Sequence, residues 1–257
     1  MTNMLLSNKN LSSSKDPSLF KKWFSTAVSD FPINLGANNE KTLEIIVKQV
    51  IGQKDLVKEI IIVDDKSDDN SSLIIKRLSE IYPIVKFIIK DKNEGKGSAI
   101  KKGLEIASGE IIIIQDADLE YDPSEYVKLI KPFEVSNADV VYGSRFIGGE
   151  YIRLHFFWHY LANKILTFLC NIVTNMNMSD METGYKLIKR KHLNSINIRE
   201  KSFGIEPELT VKLSKKKLVF YEVPISYKGR SYEEGKKINF KDALIAVYCI
   251  IKYKFID

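Results

Sequence analysis

Four consecutive isoleucines, residues 111–114, limit the possible folds of this chain more than any other stretch. An uninterrupted apolar run predicts a strand buried on both faces, as in the centre of a parallel sheet. The run leads into Asp116 and Asp118, at the strand end where ligands bind in open α/β sheets. Two carboxylates at this spacing suit Mg²⁺ or Mn²⁺ with positions open for phosphate oxygens. Alternatively, they form a polar turn that caps a helix beginning at Pro123.

Apolar strands and amphipathic helices alternate through the middle of the chain. The predicted strands are residues 59–63, 84–89, 111–114 and 138–142. The predicted helices between them are residues 42–51, 70–81, 96–107 and 124–133. Strands that alternate with helices at this interval predict right-handed crossovers and a largely parallel sheet flanked by helices.

The N-terminal part of the chain does not follow this alternation. Residues 1–28 are rich in Ser, Asn and Lys, and we expect a poorly ordered arm or a loosely docked helix there. The first strand is expected near residues 31–35, although Pro32 and Asn34 interrupt its apolar pattern. Residues 29–257 are then expected to form a single domain.

The composition is consistent with one α/β domain, and it bears on the type of partner. The chain has 257 residues, 44% of them hydrophobic, and a formal net charge of +6. This charge fits an anionic partner, while the absence of a basic stripe or nucleic-acid motif argues against nucleic acid. Cys170 and Cys249 lie in apolar helical patterns, and no signal peptide is recognisable at the N-terminus. We therefore expect a cytoplasmic protein, with attachment to the inner face of a membrane as a further expectation.

The segment Asp-Ala-Asp-Leu-Glu-Tyr-Asp-Pro, residues 116–123, resembles the metal motif of family-2 glycosyltransferases. It is most similar to the motif of the dolichyl- and polyprenyl-phosphate sugar synthases. Five further segments match this family in order and spacing: residues 37–40, 62–69, 93–99, 143–146 and 180–186. The resemblance extends over residues 31–253. One departure is at residues 35–40, where the usual proline and tyrosine before Asn39 and Glu40 are missing.

The resemblance implies a GT-A-type Rossmann-like sandwich and an activity. A sugar would move from a nucleotide-diphosphate sugar to an acceptor, with inversion at the anomeric carbon and assistance from Mg²⁺ or Mn²⁺. The acceptor implied by the resembling synthases is a polyprenyl phosphate. A degenerate member that only binds a nucleotide or a partner, and a peripheral membrane-binding module, remain as alternatives.

The resemblance also assigns candidate site residues. The nucleotide-sugar candidates are Ala37, Asn39, Glu40, Asp65, Lys96 and Asp116. The metal candidates are Asp116, Asp118 and Glu120. The catalytic candidates are Asp180 and Arg145, and the candidates for binding phosphate or acceptor are Arg145, Arg230 and Lys236. Glu206 and Glu208 are rivals of Asp180, or they are acids that favour the first turn of a helix.

Glycines and aspartates at strand ends allow more than one interpretation. Gly95 and Gly97 flank Lys96 at a strand-to-helix turn, where a backbone without side chains permits close approach of a ligand. Asp65 follows a buried strand, and Ser67 to Asn70 could cap the next helix without it.

Two apolar segments near the C-terminal half predict amphipathic helices. Residues 152–173 carry a polar stripe with a four-residue spacing, namely His155, His159, Asn163, Thr167 and Asn171. Residues 240–255 form a second apolar segment with lysines near its ends. Neither reaches the length that a membrane span requires. Their apolar faces either pack against the sheet or lie in a membrane interface beside a lipid acceptor.

Overall fold

The computed structural model of the protein describes residues 24–30, 39–148, 156–229 and 240–256. The strands are β1 Phe24–Asp30, β2 Val57–Asp64, β3 Val85–Ile89, β4 Ile111–Asp116, β5 Val140–Ser144, β6 Lys186–Lys189 and β7 Phe220–Pro224. The helices are α1 Asn39–Gly52, α2 Ser71–Ile81, α3 Lys96–Ile106, α4 Tyr126–Val135, α5 Phe157–Thr174, α6 Arg190–Leu193, α7 Ile205–Ser214 and α8 Phe240–Phe255.

These strands form one mostly parallel sheet in the order β3-β2-β1-β4-β6-β5-β7. Only β6 runs antiparallel, between β4 and β5. Helices cover both faces, so the predicted α/β architecture with a largely parallel sheet is confirmed. The carboxyl ends of β2, β4 and β5 point to the same edge of the sheet, which places their following loops together.

The isoleucine run of β4 contributes to both faces of the sheet. Ile111 and Ile113 belong to one buried cluster, and Ile112 and Ile114 belong to a second cluster on the opposite face. None of these four side chains is more than 3% exposed. The prediction that this strand is buried on both sides is confirmed, since successive side chains of a strand point in opposite directions.

The first strand differs from the prediction. β1 is Phe24–Asp30 and lies in the middle of the sheet, where Thr26 is opposite Ile60 of β2 and Ile113 of β4. Residues 24–28 therefore do not belong to a disordered arm, and the predicted boundary at residue 28 is wrong. The remaining residues of the predicted arm, and the strand predicted at residues 31–35, lie outside the described residues.

Helix α5 buries its polar face and exposes its apolar face, the reverse of an ordinary surface helix. Its polar positions face the protein: Thr167 is 2% exposed, and the side chain of Asn171 bonds to the backbone of Met178 at both N–H and C=O. Large apolar residues face outward on α5, among them Trp158 at 74% and Phe168 at 63% exposure.

Helix α8 packs beside α5 and is also apolar on its outer face. Tyr248 is 61% exposed and Phe255 is 81% exposed, and further apolar side chains lie between them. We call the exposed large apolar residues of α5 and α8 the apolar strip, made of Phe157, Trp158, Tyr160, Ile165, Phe168, Ile172, Leu244, Ile245, Tyr248, Ile251 and Phe255. Among the helices within the described residues, none combines the length and hydropathy needed to cross a bilayer.

Candidate active site

Asp116 ends β4, and a lysine from α3 contacts its carboxylate. Lys96 Nζ lies 3.0 Å from Asp116 Oδ1 and 3.1 Å from Oδ2. On its other side the same ammonium group lies 2.9 Å from Oε1 of Glu206, in the first turn of α7. Burial alone lowers the pKa of Lys96, but the two carboxylates raise it well above its ordinary value. The lysine is therefore a buried, charged link between two acids.

The three carboxylates predicted to bind a metal do not come together. Asp118 is half-buried and follows Asp116 in a turn where Leu119 has a φ of 60°. The Glu120 carboxylate is buried and accepts a 2.6 Å hydrogen bond from the Tyr227 hydroxyl. Among the described residues, no three His, Cys, Asp or Glu side chains converge as a metal-binding group. Glu120 turns towards Tyr227 instead, and this leaves Asp116 and Asp118 as the candidate pair.

Asp116 and Asp118 nevertheless fit a divalent cation whose remaining ligands are phosphate oxygens. In such sites Mg²⁺ is held by one or two carboxylates together with substrate oxygens. Only the Lys96 contact to Asp116 Oδ2 has hydrogen-bond geometry, so Oδ1 is buried without a hydrogen-bond donor from the described residues. A buried acceptor left unsatisfied is costly, and a cation at this oxygen would remove that cost.

Backbone packing restricts the space beside Asp116. A Cβ atom added at Gly184 would stand 2.9 Å from Asp116 Oδ2 and 2.9 Å from the ring of Tyr121. The N–H of Gly184 also donates a 2.8 Å hydrogen bond to the Tyr121 hydroxyl. The glycine in the segment 180–186 therefore allows this loop to approach the acidic end of β4.

Arg145 and Asp180, the two catalytic candidates, form a buried bidentate ion pair. Arg145 Nε lies 2.7 Å from Asp180 Oδ2, and Nη2 lies 2.7 Å from Oδ1. The backbone N–H of Arg145 donates a third hydrogen bond to Oδ2 at 3.1 Å. Since Asp180 is 0% exposed and both of its oxygens contact the guanidinium, its visible effect is to orient Arg145.

Neighbouring side chains hold this pair in place. Glu222 of β7 accepts hydrogen bonds from the backbone N–H groups of Ser179, at 2.9 Å, and Asp180, at 3.2 Å. The Arg145 guanidinium lies 5.2 Å from the ring centre of Tyr227 and 5.3 Å from that of Phe146. Cation–π contacts at these distances stabilise the guanidinium at the edge of the site.

Asp65 is fully buried and anchors the loop that precedes α3. Its carboxylate accepts hydrogen bonds from Lys90 Nζ and from the backbone N–H groups of Glu94 and Gly95. Both carboxylate oxygens of Asp65 therefore already accept hydrogen bonds from the protein. Its contact to a nucleotide stays a prediction.

The glycines around Lys96 have a structural reason of their own. Gly95 has a φ of 94°, and a Cβ at Gly97 would stand only 2.0 Å from the carbonyl oxygen of Glu200. The N–H of Ser98 donates to the carbonyl of Lys201. The backbone of the segment 200–202, rather than the expected ligand, makes the close approach at this turn.

The remaining candidates are less defined. Asn39 and Glu40 begin α1, and the Glu40 carboxylate accepts a hydrogen bond from the Asn70 side chain at 3.2 Å. Ala37, Arg230 and Lys236 lie outside the described residues, so their predicted roles stay predictions.

Two charged residues near the site, the buried Lys186 and the half-buried Glu182, were not singled out from the sequence. Lys186 donates to the backbone carbonyl groups of Met181 and Thr183, and burial lowers its pKa to about 8. Burial and the nearby Glu206 carboxylate raise the pKa of Glu182 to about 7. Both residues lie in the segment 180–186, which resembles a family motif. That resemblance is the sequence signal that could have identified them.

Comparison with known proteins supplies the family. The model of glycosyl transferase family 2 matches residues 37–196, more than half of the chain. The chain belongs to this family. An uncharacterized protein of Methanocaldococcus jannaschii is 30% identical over 232 residues, which cover 86% of this chain and 96% of that protein.

A second relative of this family-2 member has a named activity. The dolichol-phosphate mannosyltransferase of Pyrococcus furiosus is 29% identical over 202 residues, 76% of this chain. The chain spans 56% of the length of that relative.

Solved structures with low sequence identity share the fold. Glucosyl-3-phosphoglycerate synthase from Mycobacterium tuberculosis, in complex with Mn²⁺, UDP-glucose and phosphoglyceric acid, matches with a TM-score of 0.70 at 16% identity. The match covers 97% of this chain and 86% of that one. The predicted GT-A fold is confirmed. A divalent metal cofactor is typical of glycosyl transferase family 2.

Proposed function

We propose that this family-2 glycosyltransferase moves a sugar from a nucleotide-diphosphate sugar to a lipid phosphate at a membrane surface. Mg²⁺ or Mn²⁺ would assist, and the anomeric carbon would be inverted. The proposal for the donor and metal is supported by the family and by the carboxylates at the end of β4. The proposal for the acceptor is supported by one observation above all, the position of the apolar strip beside Arg145.

Two contacts connect the apolar strip to the arginine. Phe146, next to Arg145 in sequence, stacks edge-on against Tyr160 of α5 with ring centres 5.3 Å apart. Lys164 of α5 donates a 3.0 Å hydrogen bond to the carbonyl of Ser179, the neighbour of Asp180. The hydrocarbon chain of a lipid phosphate bound at Arg145 could therefore run along exposed apolar surface. A soluble acceptor would have no use for this arrangement.

The chemistry follows from the charges at the site. An oxygen of the acceptor phosphate forms a bond to the anomeric carbon while the bond from that carbon to the nucleoside diphosphate breaks. Asp116 and Asp118 would hold the metal, which would supply charge stabilisation for the departing diphosphate. Arg145, oriented by Asp180, binds the acceptor phosphate. That phosphate is already ionised at neutral pH, so Asp180 needs to accept no proton.

Thermal stabilisation by sugar nucleotides tests the donor. We expect one of UDP-glucose, UDP-N-acetylglucosamine, GDP-mannose or a related compound to stabilise the protein only with Mn²⁺ present. A free ligand concentration of one hundred times Kd adds about 2.7 kcal/mol to the unfolding free energy. No stabilisation by any of them, with or without metal, would contradict the proposed donor class and favour a degenerate member.

Substitution of Asp118 tests the metal site. Asp118→Ala should abolish sugar transfer and Mn²⁺-dependent nucleotide binding while the circular dichroism spectrum stays that of the folded protein. Unchanged Mn²⁺-dependent binding in this variant would overturn the assignment of Asp118.

Liposome sedimentation tests the membrane surface. We expect binding to phosphatidylcholine vesicles containing phosphatidylglycerol, weakened by salt, and weakened further in a Phe157→Ser/Trp158→Ser variant. Leu73→Ser is the matched control, because Leu73 is 62% exposed on α2, away from the apolar strip. Equal losses in both variants, or transfer to a water-soluble acceptor without any vesicle binding, would refute the lipid acceptor.

A further inference from the structure

Three elements of the fold meet in one short chain of charges. Lys96 comes from α3, Asp116 from β4 and Glu206 from α7, and the Lys96 ammonium lies between the two carboxylates at 2.9 to 3.1 Å. Lys96 is 6% exposed and Glu206 is 8% exposed. The residues are 20 or more positions apart in sequence, so the contact is made only by the tertiary fold.

The two acids in the first turn of α7 differ in their partners. Glu208 is fully buried and satisfied: its oxygens accept from the N–H groups of Arg199 and Glu200, and Lys212 Nζ lies 2.8 Å away. Glu206 contacts Lys96 through Oε1, whereas Oε2 is buried without a hydrogen-bond donor from the described residues. Glu208 therefore serves the fold, and an unpartnered carboxylate oxygen marks Glu206 as different.

The charge of Glu206 matters because of where Lys96 points. If Lys96 and Asp116 were alone, the Lys96 ammonium group would neutralise the Asp116 carboxylate, which is a proposed metal ligand. With Glu206 included, the group of three carries a net charge of −1.

We infer that Glu206 is a positioning residue whose negative charge offsets that of Lys96, so that Asp116 keeps its affinity for a divalent cation. This inference deepens the proposed function and rests on it. Glu206 acts through Lys96 and touches no reacting atom in this arrangement.

Two variants that remove charges from this group test the inference. The measurement is Mn²⁺ affinity by electron paramagnetic resonance titration, with UDP and separately with GDP at saturating concentration. In Glu206→Gln the amide can still accept from Lys96, but the net charge of the group rises to zero. We expect the Mn²⁺ dissociation constant to rise about tenfold, the effect of roughly one pKa unit of charge interaction.

The double variant Lys96→Met/Glu206→Gln distinguishes charge from structure. It restores the net charge of −1 by leaving Asp116 alone, so we expect Mn²⁺ affinity to recover to within about threefold of the unsubstituted protein. A structural role for Glu206 would instead give a double variant weaker than Glu206→Gln. That result, or an unchanged dissociation constant in Glu206→Gln, would overturn the inference. Absence of Mn²⁺-dependent UDP or GDP binding in the unsubstituted protein would refute the proposed function and, with it, the inference.

Discussion

Replacement of Asp180 by asparagine gives the sharpest test of the buried Arg145–Asp180 pair. The substitution preserves the shape of the side chain and removes its charge at a position that is 0% exposed. Asparagine can accept on only one of its two terminal atoms. The other becomes an NH₂ group that faces the guanidinium, so a buried cation loses its counter-charge and at least one of its two side-chain hydrogen bonds.

The expected cost follows from the burial of both partners. Removal of one partner from a buried ion pair destabilises proteins by about 3 to 5 kcal/mol. The Arg145 side chain retains 10% exposure and some access to water, so we take the lower end, about 3 kcal/mol. In a protein of this size each kcal/mol lowers Tm by about 2 to 4 °C, which predicts a Tm lower by about 6 to 12 °C.

Urea denaturation and thermal melts followed by circular dichroism measure this loss. The matched control is Asp55→Asn at an exposed position, which should leave the unfolding free energy unchanged. The double variant Arg145→Met/Asp180→Asn should be more stable than Asp180→Asn alone, because it no longer buries an unpaired cation. A loss below about 1 kcal/mol in Asp180→Asn would refute the claim that the pair is buried and tightly coupled.

Three further predictions concern the fold and the buried charges. Gly97→Ala should lower Tm strongly, since its Cβ would stand 2.0 Å from a backbone oxygen, whereas Gly52→Ala meets nothing within 4 Å and should be neutral or stabilising. A chain that begins at residue 31 lacks β1 from the middle of the sheet and should show no cooperative unfolding transition by circular dichroism. The raised pKa of Glu182 favours the folded state below pH 4.5, and this contribution is lost as pH rises to about 7. Glu182→Gln should therefore flatten the pH dependence of unfolding free energy between pH 4.5 and 7, by at most about 3 kcal/mol in urea titrations; identical pH profiles would contradict the raised pKa.

Local patterns in the sequence were sufficient for most elements of the fold. The isoleucine run of β4, the alternation of strands and helices from α1 to β5, and helix α8 at Phe240–Phe255 all follow from side-chain periodicity. Periodicity is a property of neighbouring residues, so it can be recognised without knowing what lies across the sheet. The acidic end of β4 was likewise visible, because it interrupts an apolar run.

Strands with weak local patterns were missed. β6 is Lys186–Lys189, a four-residue strand with lysine at both ends, and β7 lies at the edge of the sheet. β1 was expected about seven residues later than it lies, because Phe24–Asp30 has small and polar residues at most positions. Pairing with β2 and β4 overrides its weak propensity, since a central strand gains hydrogen bonds on both sides.

Sequence motifs identified the types of residue at the site, but the contacts between these residues depend on the tertiary fold. Asp116, Arg145 and Asp180 were candidates from sequence motifs. That Asp180 pairs with Arg145, that Glu120 turns to Tyr227, and that Lys96 joins Asp116 to Glu206 became visible only in the folded chain. A buried charge interacts with whatever charge the fold brings within about 3 to 4 Å. Lys96 and Glu206 are 110 positions apart in the sequence, so no local pattern records their contact.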